Sequence, residues 1–257
     1  MDCSIKSLRA ISFLAAVFFC TTAGLGQFVV NTTDDTVDMN PGNGICADVN
    51  GNCSLRAAIM EANSTPGAND IFVPNNAYII GLDTPGEDGG LSGDLDITSE
   101  VVIVGESTRE TIINADSLDR VFHILPGGIA TIEHLEIHQG FVYAENGGAL
   151  LNQGELTLSE VGIRWSMAEG DGGGQQGGGL GGAIYNDGVL TIDNATINGC
   201  TAQGGNGGNG VGPGGGSGGG AGPGLGGALY NASNAVAAMT NSTVSGNIAV
   251  GGRGGNG

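Results

Sequence analysis

Gly147-Gly148-Ala149-Leu150-Leu151-Asn152, Gly181-Gly182-Ala183-Ile184-Tyr185-Asn186 and Gly226-Gly227-Ala228-Leu229-Tyr230-Asn231 are three copies of one phrase. Each opens onto a short apolar run with the same internal spacing: Leu156, Leu158, Val161, Ile163 after the first, and Leu190, Ile192, Ala195, Ile197 after the second. After the third, with two extra residues behind Asn231, come Ala237, Met239, Ser242 and Val244. Ala130, Ile132, Leu135 and Ile137 fit the same frame upstream without the glycine phrase. Steps of two put alternate side chains on one face of a strand. The step of three inserts a bend after which the inner face is still inner, so each run predicts two short strands forming one wall of a coil. Self-similarity of this kind marks a stacked repeat whose units bury their apolar faces against their neighbours.

The bends fall at Glu133-His134, Ser159-Glu160, Asp193-Asn194 and Thr240-Asn241, where Asn tolerates left-handed backbone. Stacking places Asn194 over Asn241 in one file and Asn152, Asn186 and Asn231 in another, where amide ladders can form. The phrase recurs after 34 residues, Gly147 to Gly181, and then after 45, Gly181 to Gly226. The excess lies in glycine-rich blocks, Gly170 to Gly182 and Gly204 to Gly227. They read as insertions at a coil corner, where loop lengthening costs little. Further strands are predicted at Leu95 to Ile97, Val101 to Val104, Thr111 to Ile113 and Val121 to Ile124, for about five coils of roughly 22–25 residues each.

Residues 1–26 carry the pattern of a secretory signal: Lys6 and Arg9, an apolar run from Ile11 to Phe19, then small residues from Thr21 to Gly26. The run is too short to span a bilayer, and no second apolar stretch approaches that length. Phe19 before Cys20 argues against a lipidation site. Cleavage would remove two of the seven basic residues and one of the 26 acidic ones, leaving a formal charge of −20. Such a surface repels nucleic acid and anionic lipid. In an oxidising compartment Cys46 and Cys53, which bracket an Asn50-Gly51 turn, are expected to form a disulfide, while Cys200 is expected to be buried.

After Cys53, Ser54 is a good N-cap, and Leu55, Ile59 and Ala62 make an apolar stripe at helical spacing that ends at Asn63 and Pro66-Gly67. A helix there would cover the first coil. The stretch Cys53-Ser54-Leu55-Arg56-Ala57-Ala58-Ile59, with Glu61-Ala62-Asn63, resembles the CSLREA-domain segment of bacterial secreted proteins. Val30 to Asp35 and Pro66 to Ile71 fit that family too. Ala57 stands where the family has Glu, a change expected at the surface. The Gly-Gly-Ala phrases resemble those of polymorphic outer-membrane proteins and other pectin-lyase-like right-handed parallel β-helices. Their companion Phe-x-x-Asn motif is absent, with only Ser245-Gly246-Asn247-Ile248-Ala249 similar to it. The resemblance implies an all-β, right-handed parallel β-helix of a bacterial secreted or surface protein. Its organisation would be a signal over 1–26, a cap segment over 27–82 and a glycine-cornered solenoid over 83–257. The last coil has no cap of its own, so a longer chain or end-to-end packing is expected beyond it.

The fold analogy admits polysaccharide lyases and hydrolases. Candidate acids are Asp94 and Asp96 on one strand and Asp116 and Asp119 flanking a loop, with Arg109 and Arg120 the only bases nearby. The simpler reading makes all of them solvated outward charges. His134, Glu136 and His138 are a candidate metal set, with Glu136 and His138 outward, but exposed polar residues describe them more simply. Asp48, Asn50 and Asn52 alternate as in a calcium loop without its distal Glu, so the disulfide-bounded turn is the better account; no cofactor is expected, with calcium the one alternative. The expected function is a non-enzymatic extracellular or surface scaffold contacting carbohydrate, matrix or surface proteins. A polysaccharide-degrading enzyme and a purely structural repeat segment are the rivals.

Overall fold

The computed structural model describes residues 26–82, 89–171, 178–209 and 219–256. The leader read over 1–26 lies outside them apart from Gly26, as do the middles of both glycine blocks. Among the described residues the protein is built from parallel strands with one α-helix, Leu55–Ser64.

The apolar rows become stacked files. A seven-stranded sheet runs in the order Gly26–Val29, Asn69–Val73, Glu100–Gly105, Ile129–Glu133, Glu155–Ser159, Val189–Asp193, Val236–Thr240. Its register aligns Ala130, Leu156, Leu190 and Ala237, and two residues on Ile132, Leu158, Ile192 and Met239. Six-, four- and five-stranded parallel sheets accompany it. From Ile129 the chain visits the sheets in a fixed order: Ile129–Glu133, Glu136–His138, Phe141–Tyr143, Leu150–Asn152, then back to the first sheet one strand over, at Glu155–Ser159. This arrangement is compatible with a parallel β-helix. The rows through Ile197 are buried, whereas Ala237, Met239 and Val244 in the last described layer are exposed.

The bends use left-handed backbone, at φ 56° for His134, 54° for Glu160, 51° for Asn194 and 50° for Asn241. Geometry therefore demands the conformation whatever residue sits there. The file Asn152, Asn186, Asn231 is a ladder: each Nδ2 donates to the next Oδ1, at 2.7 Å both times. The other file forms no amide ladder. Asn241 Nδ2 instead donates to Oδ1 of Asp193, the acid one residue before Asn194, at 2.8 Å. Seven layers exceed the five expected, since Gly26–Val29 and Asn69–Val73 join the stack without any glycine phrase.

The Gly-Gly-Ala phrase has a separable meaning at each position. Gly147, Gly181 and Gly226 are left-handed, at φ 74°, 70° and 67°. Gly148, Gly182 and Gly227 lie where a Cβ would overlap backbone atoms of neighbouring segments, such as Gly227 O and Thr201 C above Gly182. Ala149 and Ala183 are fully buried and accept no larger side chain without displacement.

Ser54 caps the helix, its side chain accepting from Ala57 N at 3.0 Å. Leu55 through Ala62 are all buried, including Ala57, so the expectation of a surface change there is corrected. The helix is covered on its far side as well, where Gly42 N and Gly44 N both donate to the Glu61 carboxylate. Cys46 and Cys53 are joined, with Cα atoms 5.1 Å apart, around a turn in which Asp48 Oδ1 accepts from Asn50 N and Asn52 N. Replacing both cysteines by serine should lower stability by about 2–3 kcal/mol through the lost loop constraint, read as a lower urea midpoint against the oxidised parent.

Candidate functional site

Leu95–Ile97 and Phe122–Ile124 are adjacent strands in register, Leu95 on Phe122, Asp96 on His123, Ile97 on Ile124. The leucine, phenylalanine and isoleucines fill the core, which turns Asp96 and His123 to the opposite face together. That face is covered by the N-terminal segment. Gly90 N donates to Asp96 Oδ2 at 2.9 Å, and Asn63 of the helix donates to the Asp96 carbonyl. Beside it lies a cavity of about 240 Å³ lined by Pro41, Met60, Asn63, Ser64, Gly89, Asp96 and Thr98.

Four of the predicted acid–base residues converge here. Asp94, Asp96, Asp119 and Arg120 are 2%, 1%, 6% and 4% exposed, so the reading of them as solvated outward charges is overturned. Arg120 Nε donates to Asp94 Oδ2 and its Nη1 to Glu145 Oε2, each at 2.6 Å. Burial opposes the guanidinium charge, but Asp94 and Glu145 outweigh it and hold Arg120 above its ordinary range. Asp116 does not join the group. It sits exposed at φ 50° in the turn before Asp119. Arg109 is likewise exposed and makes no ion pair among the described residues.

His123, Glu145 and Gln153 complete the site and were missed in the sequence. His123 Nε2 lies 3.0 Å from Gln153 Oε1, and Nδ1 lies 3.4 Å from Asp96 Oδ1. Burial works against the imidazolium, yet Asp96 and Gln153 outweigh it and raise the His123 pKa. Burial raises Asp96 in turn. The signal that could have found His123 is the alignment of Leu-Asp-Ile with Phe-His-Ile, two stretches already read as strands.

Asp119 differs from its neighbours. Arg120 N donates to its Oδ1, while Oδ2 is buried with no hydrogen-bond partner. It borders a cleft of about 130 Å³ shared with Leu118, Phe141, Val142, Tyr143 and Glu145. Burial, then the nearby Asp94 carboxylate, push its pKa up to about 6. A carboxyl raised this way favours the folded state while protonated, so its contribution is present in acid and is lost as pH rises from about 4 to about 6. Asp119→Asn should therefore gain stability relative to the parent between about pH 4.5 and pH 7, as urea unfolding at both values would read. An unchanged difference would place Asp119 in an ordinary environment.

The second predicted set does not assemble. Glu136 is buried, not exposed, because Arg164 clamps it through Nε at 2.5 Å and Nη2 at 3.1 Å and His138 Nε2 approaches at 2.9 Å. Gly162 leaves the room that this carboxylate fills. Burial opposes the Glu136 charge, but His138 and Arg164 overcome it and lower its pKa. His134 points elsewhere, 3.5 Å from Glu160 Oε2. With His134 turned to Glu160, only Glu136 and His138 remain together, and the set is an ion-pair cluster rather than a three-donor cage. Cys200 is buried, as expected, and burial raises its thiol pKa.

On the outer face of the five-stranded sheet the file that begins with Asp96 and His123 continues through Leu151 to Tyr185 and Tyr230. The two tyrosine rings stack with centroids 5.3 Å apart. Across the outer face of the seven-stranded sheet, Thr131, Thr157 and Thr191 stand in register. No protein family, curated protein or solved structure matches the chain, so its function is read from this geometry.

Proposed function

We propose that this protein is a secreted, right-handed parallel β-helix of the CSLREA-capped, pectin-lyase-like kind, acting as a non-enzymatic surface or extracellular scaffold that contacts carbohydrate. The observation that carries the reading is where the carboxylates lie. Asp94 and Asp96 are buried, with Asp94 tied to Arg120, while the outer face of the seven-stranded sheet carries a partly exposed file of threonines. That face presents Thr131, Thr157 and Thr191 beside a second file, Glu133, Ser159, Asp193 and Thr240. Hydroxyls and carboxylates on a regular, rigid lattice suit repeated hydrogen bonding to a polysaccharide, and the stacked Tyr185 and Tyr230 add an apolar ring surface. Right-handed winding follows from the general rule for parallel crossovers.

One observation favours the enzymatic reading: Asp119, held near a pKa of about 6 with an unpartnered oxygen beside a cleft, has the character of a general acid. A single panel separates the readings. The purified chain is incubated with acidic and neutral polysaccharides, and both retention and reducing-end release are measured. Retention without release, weakened by Thr157→Glu, is the expected result. Release abolished by Asp119→Asn or Asp94→Ala would establish a carbohydrate-active enzyme instead. Neither retention nor release would leave a purely structural repeat segment.

A further inference from the structure

We propose that Asp94, Asp96 and His123 bind one divalent transition-metal cation of the Zn²⁺ or Mn²⁺ class, which staples Leu95–Ile97 to Phe122–Ile124 beneath the N-terminal helix. One donor atom from each residue lies within 4.8 Å of the other two, and all three side chains are buried. The Asp96 Oδ1 to His123 Nδ1 separation of 3.4 Å is long for a charge-assisted hydrogen bond. It equals the spacing of two donors bound at about 2.1 Å to a tetrahedral ion, roughly 3.4 Å.

Three further observations point the same way. Asp96 is 1% exposed, and its Oδ1 has no hydrogen-bond partner although Oδ2 is satisfied by Gly90 N. Gln153 Oε1 can only accept, so it fixes the hydrogen of a neutral ring on His123 Nε2 and leaves Nδ1 as the basic nitrogen facing Asp96. An outer partner that sets the tautomer in this manner is the usual companion of a metal-binding imidazole. Finally, the site is short of positive charge. Asp94, Asp96 and Asp119 are buried with Arg120, which is shared with Glu145, and the other buried guanidinium nearby, Arg56, is already neutralised by Asp35. An excess of buried negative charge is costly, and a divalent cation offsets it. The mixed carboxylate and imidazole donors favour a first-row transition metal over calcium, which prefers oxygen throughout.

The test is a calorimetric titration of the tag-free, chelator-stripped chain with Zn²⁺, Mn²⁺ and Ca²⁺, together with thermal unfolding. One Zn²⁺ or Mn²⁺ per chain is expected, with Ca²⁺ weaker by about 100-fold and a Tm that rises with added metal. His123→Gln and Asp96→Asn should each weaken binding by about 100-fold or more, and Gln153→Ala by about 10- to 100-fold, while His138→Gln leaves it unchanged. Should Asp96→Asn not fold, ring-nitrogen NMR of the parent decides: Zn²⁺ should shift His123 and spare His134 and His138. Absence of binding, binding unaltered in His123→Gln, or ring shifts at His138 instead would each overturn the assignment.

Discussion

Arg56→Ala should destabilise the chain by about 3–5 kcal/mol, the range for removing one partner of a buried, hydrogen-bonded ion pair. Arg56 is 1% exposed, on the first turn of the helix. Its Nε and Nη2 fork onto the two oxygens of Asp35 at 2.7 and 3.0 Å. The remaining donors reach the carbonyls of Gly93 at 2.7 Å, Asp94 at 3.2 Å and Gly90 at 3.3 Å. Truncation leaves an unneutralised carboxylate and three carbonyls without this donor, and the segment entering the acid-bearing strand is left with the Asn63 tie to the helix. Asp35 also accepts from Gly81 N and Leu82 N, so it cannot swing out to water without breaking two further bonds. Arg56→Lys should recover only part of the loss, since an ammonium cannot reproduce the planar fork. Urea unfolding followed by circular dichroism reads both variants, and a loss under about 1 kcal/mol for Arg56→Ala would mean the pair is dispensable.

The second large effect is expected at Gly182→Ala, with a loss of about 3 kcal/mol or more from overpacking. A Cβ at Gly182 would meet the Gly227 carbonyl and the Thr201 backbone, neither of which is a flexible side-chain end that can step aside. Gly127→Ala is the matched comparison. Gly127 is left-handed at φ 89° with nothing near its missing Cβ, so its substitution carries conformational strain alone, about 1 kcal/mol. A similar loss for both variants in parallel urea melts would show that close approach is not what the second glycine of the phrase provides.

These glycines show how far the sequence could be read. The two-three-two spacing locates strands, bends and inner faces because all three follow from local backbone geometry, and Ala130, Leu156 and Leu190 stand in register as that spacing requires. The Asn152–Asn186–Asn231 ladder was legible because it repeats at the same place in each phrase. The acid cluster was not. Alternation along Leu95–Ile97 correctly turns Asp96 away from the core, but alternation is blind to what covers the far face. Here the cover includes Asn63, 33 residues away, as well as nearby Gly90, and it converts an apparent surface charge into a buried one. The same blindness placed Ala57 at the surface, since a helical stripe identifies one covered side and this helix has more than one.

Neighbouring layers are separated by 26 residues at Gly140 and Ser166, by 34 at Asn152 and Asn186, and by 47 at Asp193 and Thr240, yet the register between them never slips. The added length falls between Glu169 and Gly179 and between Gln203 and Gly224, with two further residues between Asn231 and Val236, all outside the strands that define each layer. Doubling such a connection costs only about 0.6 kcal/mol. Inheritance can therefore lengthen these connections while the pairing of the strands stays constant, which decouples the length of the chain from what keeps it folded.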